Sequence, residues 1–548
     1  MTKMAFAGEL DLSTATSRRW TCPSRRATRA ADMAAREPLG RHRLPGRRVE
    51  AAKLRERSRA RGLLETEGEP NQVFENTGRV AERQLPPKAK GDPMSYQTIN
   101  PFTEELIKTF PEHTDAELEK IIQTAHSTYE DDWSLRSLAE RKAVLTRAAS
   151  ILRDKMDDFA ELVTLEMGKL FREARAEVEL SADILDYYAH EAEKFLAPQE
   201  LRVKQGEAVI ESAPMGVLFC VEPWNFPYYQ LARVAGPNLM AGNTLVVKHA
   251  PNVPQCALAF ERLFLDAGAP QGAYANVFLS NEQAARAIAD PRIKGAALTG
   301  SERAGAAVGS EAGQALKKST LELGGSDAFI VLDDAEMDTA IKWGLWGRMN
   351  NTGQCCVAAK RFVLDGTIAG SFLERFQKEF KKLVPGDPFD PKTTLGPLCT
   401  ADALERVLQQ IKDAVAHGAK VLMGGERLKR PGYFLAPTIL TDVRPDNPAY
   451  YQEFFAPVAL IFRVNGEREA VRLANDSPYG LGGTVITRDI ERGKRIARQI
   501  DTGMVWINEA TWTAPELPFG GVKNSGYGRE LSQLGIGEFV NKKLIRVA

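Results

Sequence analysis

Asn351-Thr352-Gly353-Gln354-Cys355-Cys356 begins about thirty residues after the start of Leu321-Glu322-Leu323-Gly324-Gly325, and the rest of the chain is read outward from these two stretches. The first offers a thiol nucleophile, the second a carboxylate base. A thiol attacks a carbonyl well only as thiolate, so it needs a neighbouring base or an electropositive setting. Glycines on both sides let backbone N–H groups come close to a small reacting centre. A third stretch, Pro223-Trp224-Asn225-Phe226-Pro227, follows the apolar run Gly216-Val217-Leu218-Phe219-Cys220-Val221, which reads as a buried strand. An Asn side chain fixed between prolines at a strand end suits a donor aimed at a developing oxyanion.

Around these stretches, strands alternate with helices. Residues 216–221, 244–248, 275–279 and 294–298 read as short apolar strands, and helical stretches fall around 228–240, 254–267, 281–288 and 302–316. That alternation predicts a parallel sheet with helical crossovers. A second α/β run follows from Ser326 to about Asn508. Upstream, Thr114 to about Ala197 reads as successive amphipathic helices, one opened by the capping box Ser137-Leu138-Ala139-Glu140. Leu201 to Ser212 predicts a β-hairpin turning at Gln205-Gly206, and Ile545-Arg546-Val547 an edge strand.

A chain of 548 residues has room for two or three domains. Its formal charge is zero, which gives no electrostatic case for nucleic acid or membrane partners. Residues 1–93 nevertheless carry roughly +8 and the remainder roughly −8. That first segment is rich in Arg, Ala, Glu and Pro, with the pairs Arg18-Arg19, Arg25-Arg26 and Arg47-Arg48. It is too acidic for a transit peptide and reads as a disordered tail, or as upstream sequence before a natural start at Met94. Six cysteines without regular spacing make neither a disulfide framework nor a zinc site, so no metal is expected. The pair Cys355-Cys356 suits a reducing compartment, and no apolar run approaches a membrane span. A cytoplasmic protein is expected.

Together, the three motif stretches resemble the aldehyde dehydrogenase superfamily from about Met94 to the C-terminus. The resemblance implies an α/β fold with a Rossmann-type cofactor domain (94–197 and 213–324) and an α/β catalytic domain (325–529). It also implies a small oligomerisation β-element (198–212 and 530–548), hence a homodimer or homotetramer. Pro518-Phe519-Gly520-Gly521-Val522-Lys523-Asn524-Ser525-Gly526 resembles the family's C-terminal signature. In the family pattern Cys356 is the nucleophile and Cys355 the variable residue before it, a bystander or, as the alternative, a redox-resolving thiol. Asn225 and the Cys356 backbone N–H would hold the oxyanion, and Glu322 would activate water for thioester hydrolysis.

The chain has no G-x-G-x-x-G fingerprint. The family binds its dinucleotide differently, and the resemblance assigns cofactor contacts to Trp224, Lys248, Gly300, Ser301, Gly305, Glu453 and Phe455. Lys248 would meet the adenosine ribose, and the turn Gly300-Ser301 would present a helix N-terminus to the pyrophosphate. Glu453 would hold the nicotinamide ribose, with Phe455 packed beside the ring and Ala456 replacing the usual Gly. Pro251 stands where strictly NAD-using relatives often carry Glu, which leaves room for a 2′-phosphate that His249 would assist. The cofactor is NAD or NADP.

For the substrate, Arg233 stands where relatives acting on succinate semialdehyde grip the far carboxylate. The second Arg that some of them carry is replaced by Asn350, with Arg348 nearby. Tyr229, Gln230, Trp346 and Thr513 are further candidate lining. The chain resembles most the bacterial NAD(P)-dependent succinate-semialdehyde dehydrogenases. The alternatives are an enzyme for glutarate semialdehyde, an aliphatic aldehyde or an aminoaldehyde, and a non-catalytic structural relative, against which the joint presence of Cys356, Glu322 and Asn225 argues.

Overall fold

Apolar strands separated by helix-forming stretches close most readily as parallel sheets with helical crossovers. The computed structural model, which describes residues Tyr96–Ala548, contains two such sheets. The first runs in the order Gly526–Tyr527, Lys318–Glu322, Ile293–Thr299, Val217–Glu222, Thr244–His249, Tyr274–Asn276. Its neighbours are parallel except for Gly526–Tyr527, which is antiparallel to Lys318–Glu322. Helices Pro227–Ala241, Pro254–Asp266, Asn281–Ala289 and Glu302–Gln314 make the crossovers. All six residues of Thr244–His249 are buried, as expected of a strand covered on both faces.

The second sheet has the order Lys420–Met423, Thr438–Thr441, Val458–Val464, Ala359–Asp365, Asp327–Val331, Gly483–Ile486, Trp506–Ile507. Glu322 ends the last long strand of the first sheet and Asp327 opens the first strand of the second, so Leu323-Gly324-Gly325 lies in the short link between them. The upstream helices include Leu138–Asp154, opened by the expected capping box: Glu140 N–H donates to Ser137 Oγ at 3.3 Å, and Ser137 N–H to the Glu140 carboxylate at 2.8 Å.

Two elements differ from expectation. The strand predicted at 275–279 stops at Asn276: Val277 N–H still donates to Val247 O at 2.9 Å, but the groups after it find side-chain partners. Phe278 N–H donates to His113 Nδ1 at 2.9 Å and Leu279 N–H to Tyr96 Oη at 3.0 Å. The hairpin predicted from Leu201 has only a two-residue first arm, Gln199–Glu200, against Glu207–Pro214. The main partner of Glu207–Pro214 is Val540–Val547, matched along all eight residues, so the predicted edge strand is longer than its apolar tip. Lys542 and Lys543 hide that strand from a hydrophobicity pattern. The readings of residues 1–93 and of Met94 lie outside the described residues.

Candidate active site

The segment Gly353-Gln354-Cys355-Cys356 is held through its carbonyls. Arg348 Nη2 donates to Gly353 O at 2.7 Å. Asn225 Nδ2 and Asn351 Nδ2 donate to Gln354 O at 3.0 and 3.1 Å. Lys360 Nζ donates to Cys355 O at 2.8 Å and to Cys356 O at 2.6 Å. With its acceptors turned toward these donors, the segment can offer N–H groups on the other side, as an oxyanion site requires. The approach is a strained turn: Asn351, Thr352 and Gly353 have φ of 52°, 54° and 75°. A β-branched Thr there costs roughly 1–3 kcal/mol. Only Gly fits at 353, where a Cβ would lie 2.6 Å from the Ala456 backbone.

Cys355 is buried and Cys356 partly exposed, so Cys356 is the thiol a small molecule can reach. Contact with Cys355, then burial, pushes the Cys356 thiol up, while Lys360 and Arg233 pull it down. The glycine pair serves close approach. A Cβ on Gly325 would sit 2.7 Å from Cys356 O, and one on Gly324 2.6 Å from the Glu453 carboxylate. Asn225 is itself pinned, because its carbonyl accepts from Lys169 Nζ at 2.9 Å and from Asn351 Nδ2 at 2.7 Å. Lys169 in turn pairs with Glu177, which caps Tyr228 N–H at 2.8 Å and Tyr229 N–H at 3.2 Å.

Glu322 is 2 % exposed, and neither of its carboxylate oxygens is hydrogen-bonded. Burial and then Glu530 push its carboxyl well above the usual range, against the pull of Arg233. Glu222 is equally buried, and burial and Glu530 push its carboxyl well above the usual range against Arg233 and the Thr299 side chain. In register, Val221 pairs with Leu298 and Thr299 with Glu322, so Glu222, Thr299 and Glu322 stand at neighbouring strand ends. Arg233 serves this row: Nη2 donates to Thr299 Oγ1 at 2.8 Å, Nη1 to Tyr229 Oη at 3.3 Å, and Nε ion-pairs with Glu530.

Tyr229 Oη donates to Thr513 Oγ1 at 3.0 Å, which joins three of the sequence-predicted substrate residues. Phe226, Tyr229, Trp346 and Trp512 meet edge to face around them, with ring centroids 5.2–6.0 Å apart. Asn350 is half-buried at the C-cap of Met337–Met349, and no hydrogen bond joins its side chain to this trio. Arg348 is not joined to this trio, because its guanidinium is bonded to Gly353 O and Val458 O.

Trp224, Lys248, Gly300 and Ser301 lie at the carboxyl ends of first-sheet strands, where ligands of open α/β sheets bind, and Glu453 and Phe455 come from the segment before Val458–Val464 of the second sheet. Lys248, 6 % exposed, faces the Tyr96 ring at 5.6 Å, and burial lowers it to about 8. Ser301 caps helix Glu302–Gln314, whose first N–H groups are open to an anion. Gly305 packs the helix tightly, since a Cβ would meet Leu323 at 2.5 Å. Trp224 and Phe455 meet edge to face at 5.7 Å. These residues fit a dinucleotide: a buried ammonium and a helix N-terminus follow one sheet edge, and Phe455 meets Trp224 at that edge from the second sheet's side. His249 does not join them. Successive strand residues face opposite sides, and its ring is buried between Glu222 O and Pro227 O, 3.0 Å from each.

The sequence model of the Aldehyde dehydrogenase family matches residues 88–545. The chain belongs to the aldehyde dehydrogenase family. It is 51% identical to a succinate-semialdehyde dehydrogenase [NADP(+)] of Deinococcus radiodurans, over 84% of this chain and 96% of that one. It is 45% identical to a probable succinate-semialdehyde dehydrogenase [NADP(+)] of Synechocystis, over 83% of this chain and all of that one. The solved succinic semialdehyde dehydrogenase of Streptococcus pyogenes, in complex with NADP+, superposes with a TM-score of 0.81 at 49% identity, covering 82% of this chain and 99% of that one.

Within this aldehyde dehydrogenase, sequence reasoning missed Glu222, Glu530, Lys169 and Lys360. Each is an ordinary charged residue in its own neighbourhood and becomes notable only through burial beside the site. A Glu directly before Pro223-Trp224-Asn225, at the end of an apolar strand, was the one available signal.

Proposed function

We propose that this chain oxidises succinate semialdehyde to succinate with NADP+, with Cys356 as nucleophile, Asn225 as oxyanion donor and Glu322 as hydrolytic base. The observation that supports the substrate is the hydrogen-bonded Arg233–Tyr229–Thr513 trio beside the Phe226, Trp346 and Trp512 rings, where a distal carboxylate would take the Arg233 guanidinium in exchange for its present partners Thr299, Tyr229 and Glu530. The relatives' substrate agrees with it. For the cofactor, Pro251 brings no carboxylate to repel a 2′-phosphate, and Lys248 brings a charge to attract one.

The thiolate of Cys356 adds to the aldehyde carbon, and the Asn225 side chain with the Cys356 N–H receives the oxyanion. A nicotinamide held by Trp224, Glu453 and Phe455 would supply the hydride acceptor that the oxidation needs, and Cys356 would then hold the carbon as a thioester. Glu322 in its ionised form takes a proton from water as that water attacks the thioester, and the acid leaves with the thiol restored. Trp224, Gly300, Ser301, Gly305, Glu453 and Phe455 orient the cofactor beside Lys248.

Exposed Leu544, Ile545 and Val547 on the edge of the three-stranded sheet support assembly as a dimer or tetramer. Among the described residues, no helix is long and apolar enough to cross a membrane. The five cysteines among the described residues are free, which fits a cytoplasmic setting. The test is a kcat/KM panel over succinate semialdehyde, glutarate semialdehyde and butanal with NAD+ and NADP+. Equal values for butanal and succinate semialdehyde would overturn the substrate assignment.

A further inference from the structure

Lys360 sits on strand Ala359–Asp365 with no exposed surface. Its ammonium has three acceptors: Cys355 O at 2.8 Å, Cys356 O at 2.6 Å and Glu453 Oε1 at 3.0 Å. Three acceptors match the three N–H groups of an ammonium, so withdrawing one acceptor frees an N–H and its charge for the other two. Two belong to the nucleophile segment and one to the carboxylate assigned to the cofactor ribose. The Phe455 ring, also on the cofactor side, lies 5.9 Å away.

Other charges face the same spot. From strand Asp327–Val331 comes the Asp327 carboxyl, which accepts from Gly482 N–H at 3.1 Å and which burial pushes up to about 6. From helix Met337–Met349 comes Arg348, committed to Gly353 O and Val458 O. Glu453 Oε1 also accepts from Gly325 N–H at 3.1 Å, next to the point where Gly325 abuts Cys356 O. Lys360 is thus the cation shared between the nucleophile segment and the ribose carboxylate.

We propose that Lys360 is a positioning residue that couples the engagement of Glu453 to the placement and reactivity of Cys356. When a ribose draws Glu453 away, the ammonium falls to the two carbonyls, tightens the segment and brings its charge closer to the thiol. When Glu453 is free, the ammonium is shared and the thiol is quieter. This rests on the reading of Cys356 as nucleophile and Glu453 as ribose carboxylate.

The test is alkylation of Cys356 by iodoacetamide, located by peptide mass spectrometry, across pH 6–10, with and without NADP+. In the parent enzyme NADP+ should accelerate labelling. Lys360→Met should slow it about ten-fold near neutral pH, move its pH midpoint up by roughly one unit, and erase the response to NADP+. Lys360→Arg should keep the charge and restore part of both. Glu453→Gln should speed labelling without cofactor about three-fold and also erase the response. Should Lys360→Met fail to fold, Glu453→Gln decides alone: unchanged labelling without cofactor overturns the coupling. Parent-like midpoints and NADP+ response in folded Lys360→Met also overturn it. Cys356→Ala separates the two readings. If that variant still turns over, the nucleophile assignment falls; if it is dead while Lys360→Met labels normally, only the coupling falls.

Discussion

The nucleophile segment and the carboxylate row lie close together and are built on opposite plans. In Gly353-Gln354-Cys355-Cys356, each carbonyl has a named donor from Arg348, Asn225, Asn351 or Lys360, and the backbone is strained into place. In the row Glu222, Thr299, Glu322, the two carboxylates are buried, Glu322 without a hydrogen bond, and Arg233 is the nearby cation that pulls both down. The first region fixes geometry. The second stores proton affinity, because a dry carboxylate lacking donors holds its proton to high pH. A thioester route asks for both: a thiol held at one point and a base that can take a proton from water and release it again.

The comparison breaks most completely at the thiol. Cys356→Ala should lower turnover about ten-thousand-fold or more, in line with loss of a covalent nucleophile, while Kd for NADP+ by fluorescence titration stays close to the parent value. Cys355→Ala should keep most activity. A reversal of the two would place the nucleophile one residue earlier.

Glu322→Gln should lower steady-state turnover by about 10²–10⁴-fold, yet leave a stoichiometric burst of NADPH in a single-turnover experiment. Disappearance of the burst would assign Glu322 to the thiol and not to the water. The parent kcat should also rise with pH, because the carboxyl is raised and works only ionised. A flat profile between pH 6 and 9 would contradict a stored proton.

Arg233→Met sharpens the comparison, since this side chain serves both the row and the Tyr229–Thr513 pair. Loss of a charge-assisted contact worth about 1.5–3 kcal/mol should lower kcat/KM for succinate semialdehyde roughly ten- to hundred-fold. Butanal should lose activity near neutral pH only. Without Arg233 the Glu322 carboxyl rises further, and the neutral substrate should recover in alkaline buffer while the carboxylated one does not. Equal losses at both pH values would remove Arg233 from substrate binding.

What could be read beforehand was local. The nucleophile, base and oxyanion stretches each carry their signature within a few residues, and the strand–helix alternation lies along the chain. The partners that make the site work come from far away: Asn225 meets Gln354 across 129 residues, and Tyr229 meets Thr513 across 284. No periodicity reports that Lys360 is buried or that Glu530 reaches Arg233, because a charged residue in a strand or loop is usually a solvated one. His249 misled for the same reason, since its neighbour Lys248 faces the sheet edge while the ring turns inward to two carbonyls.

Lys248 should give the smallest effect and tests the cofactor edge alone. Burial lowers its ammonium to about 8, so it is charged below that pH and neutral above it. A 2′-phosphate or a ribose hydroxyl is held better by the charged form. Kd for NADP+ should therefore weaken several-fold between pH 7 and 9.5, and the change should be smaller for NAD+, which lacks the extra phosphate. Lys248→Arg keeps the charge throughout this range and should flatten the dependence even if its absolute affinity is lower. Lys248→Met should bind NADP+ weakly and equally at both pH values. Its burst amplitude at saturating cofactor should match the parent, because neither the nucleophile segment nor the carboxylate row loses a contact. A parent Kd that stays constant across pH 8 would detach Lys248 from the cofactor and leave the buried ammonium a structural partner of the Tyr96 ring.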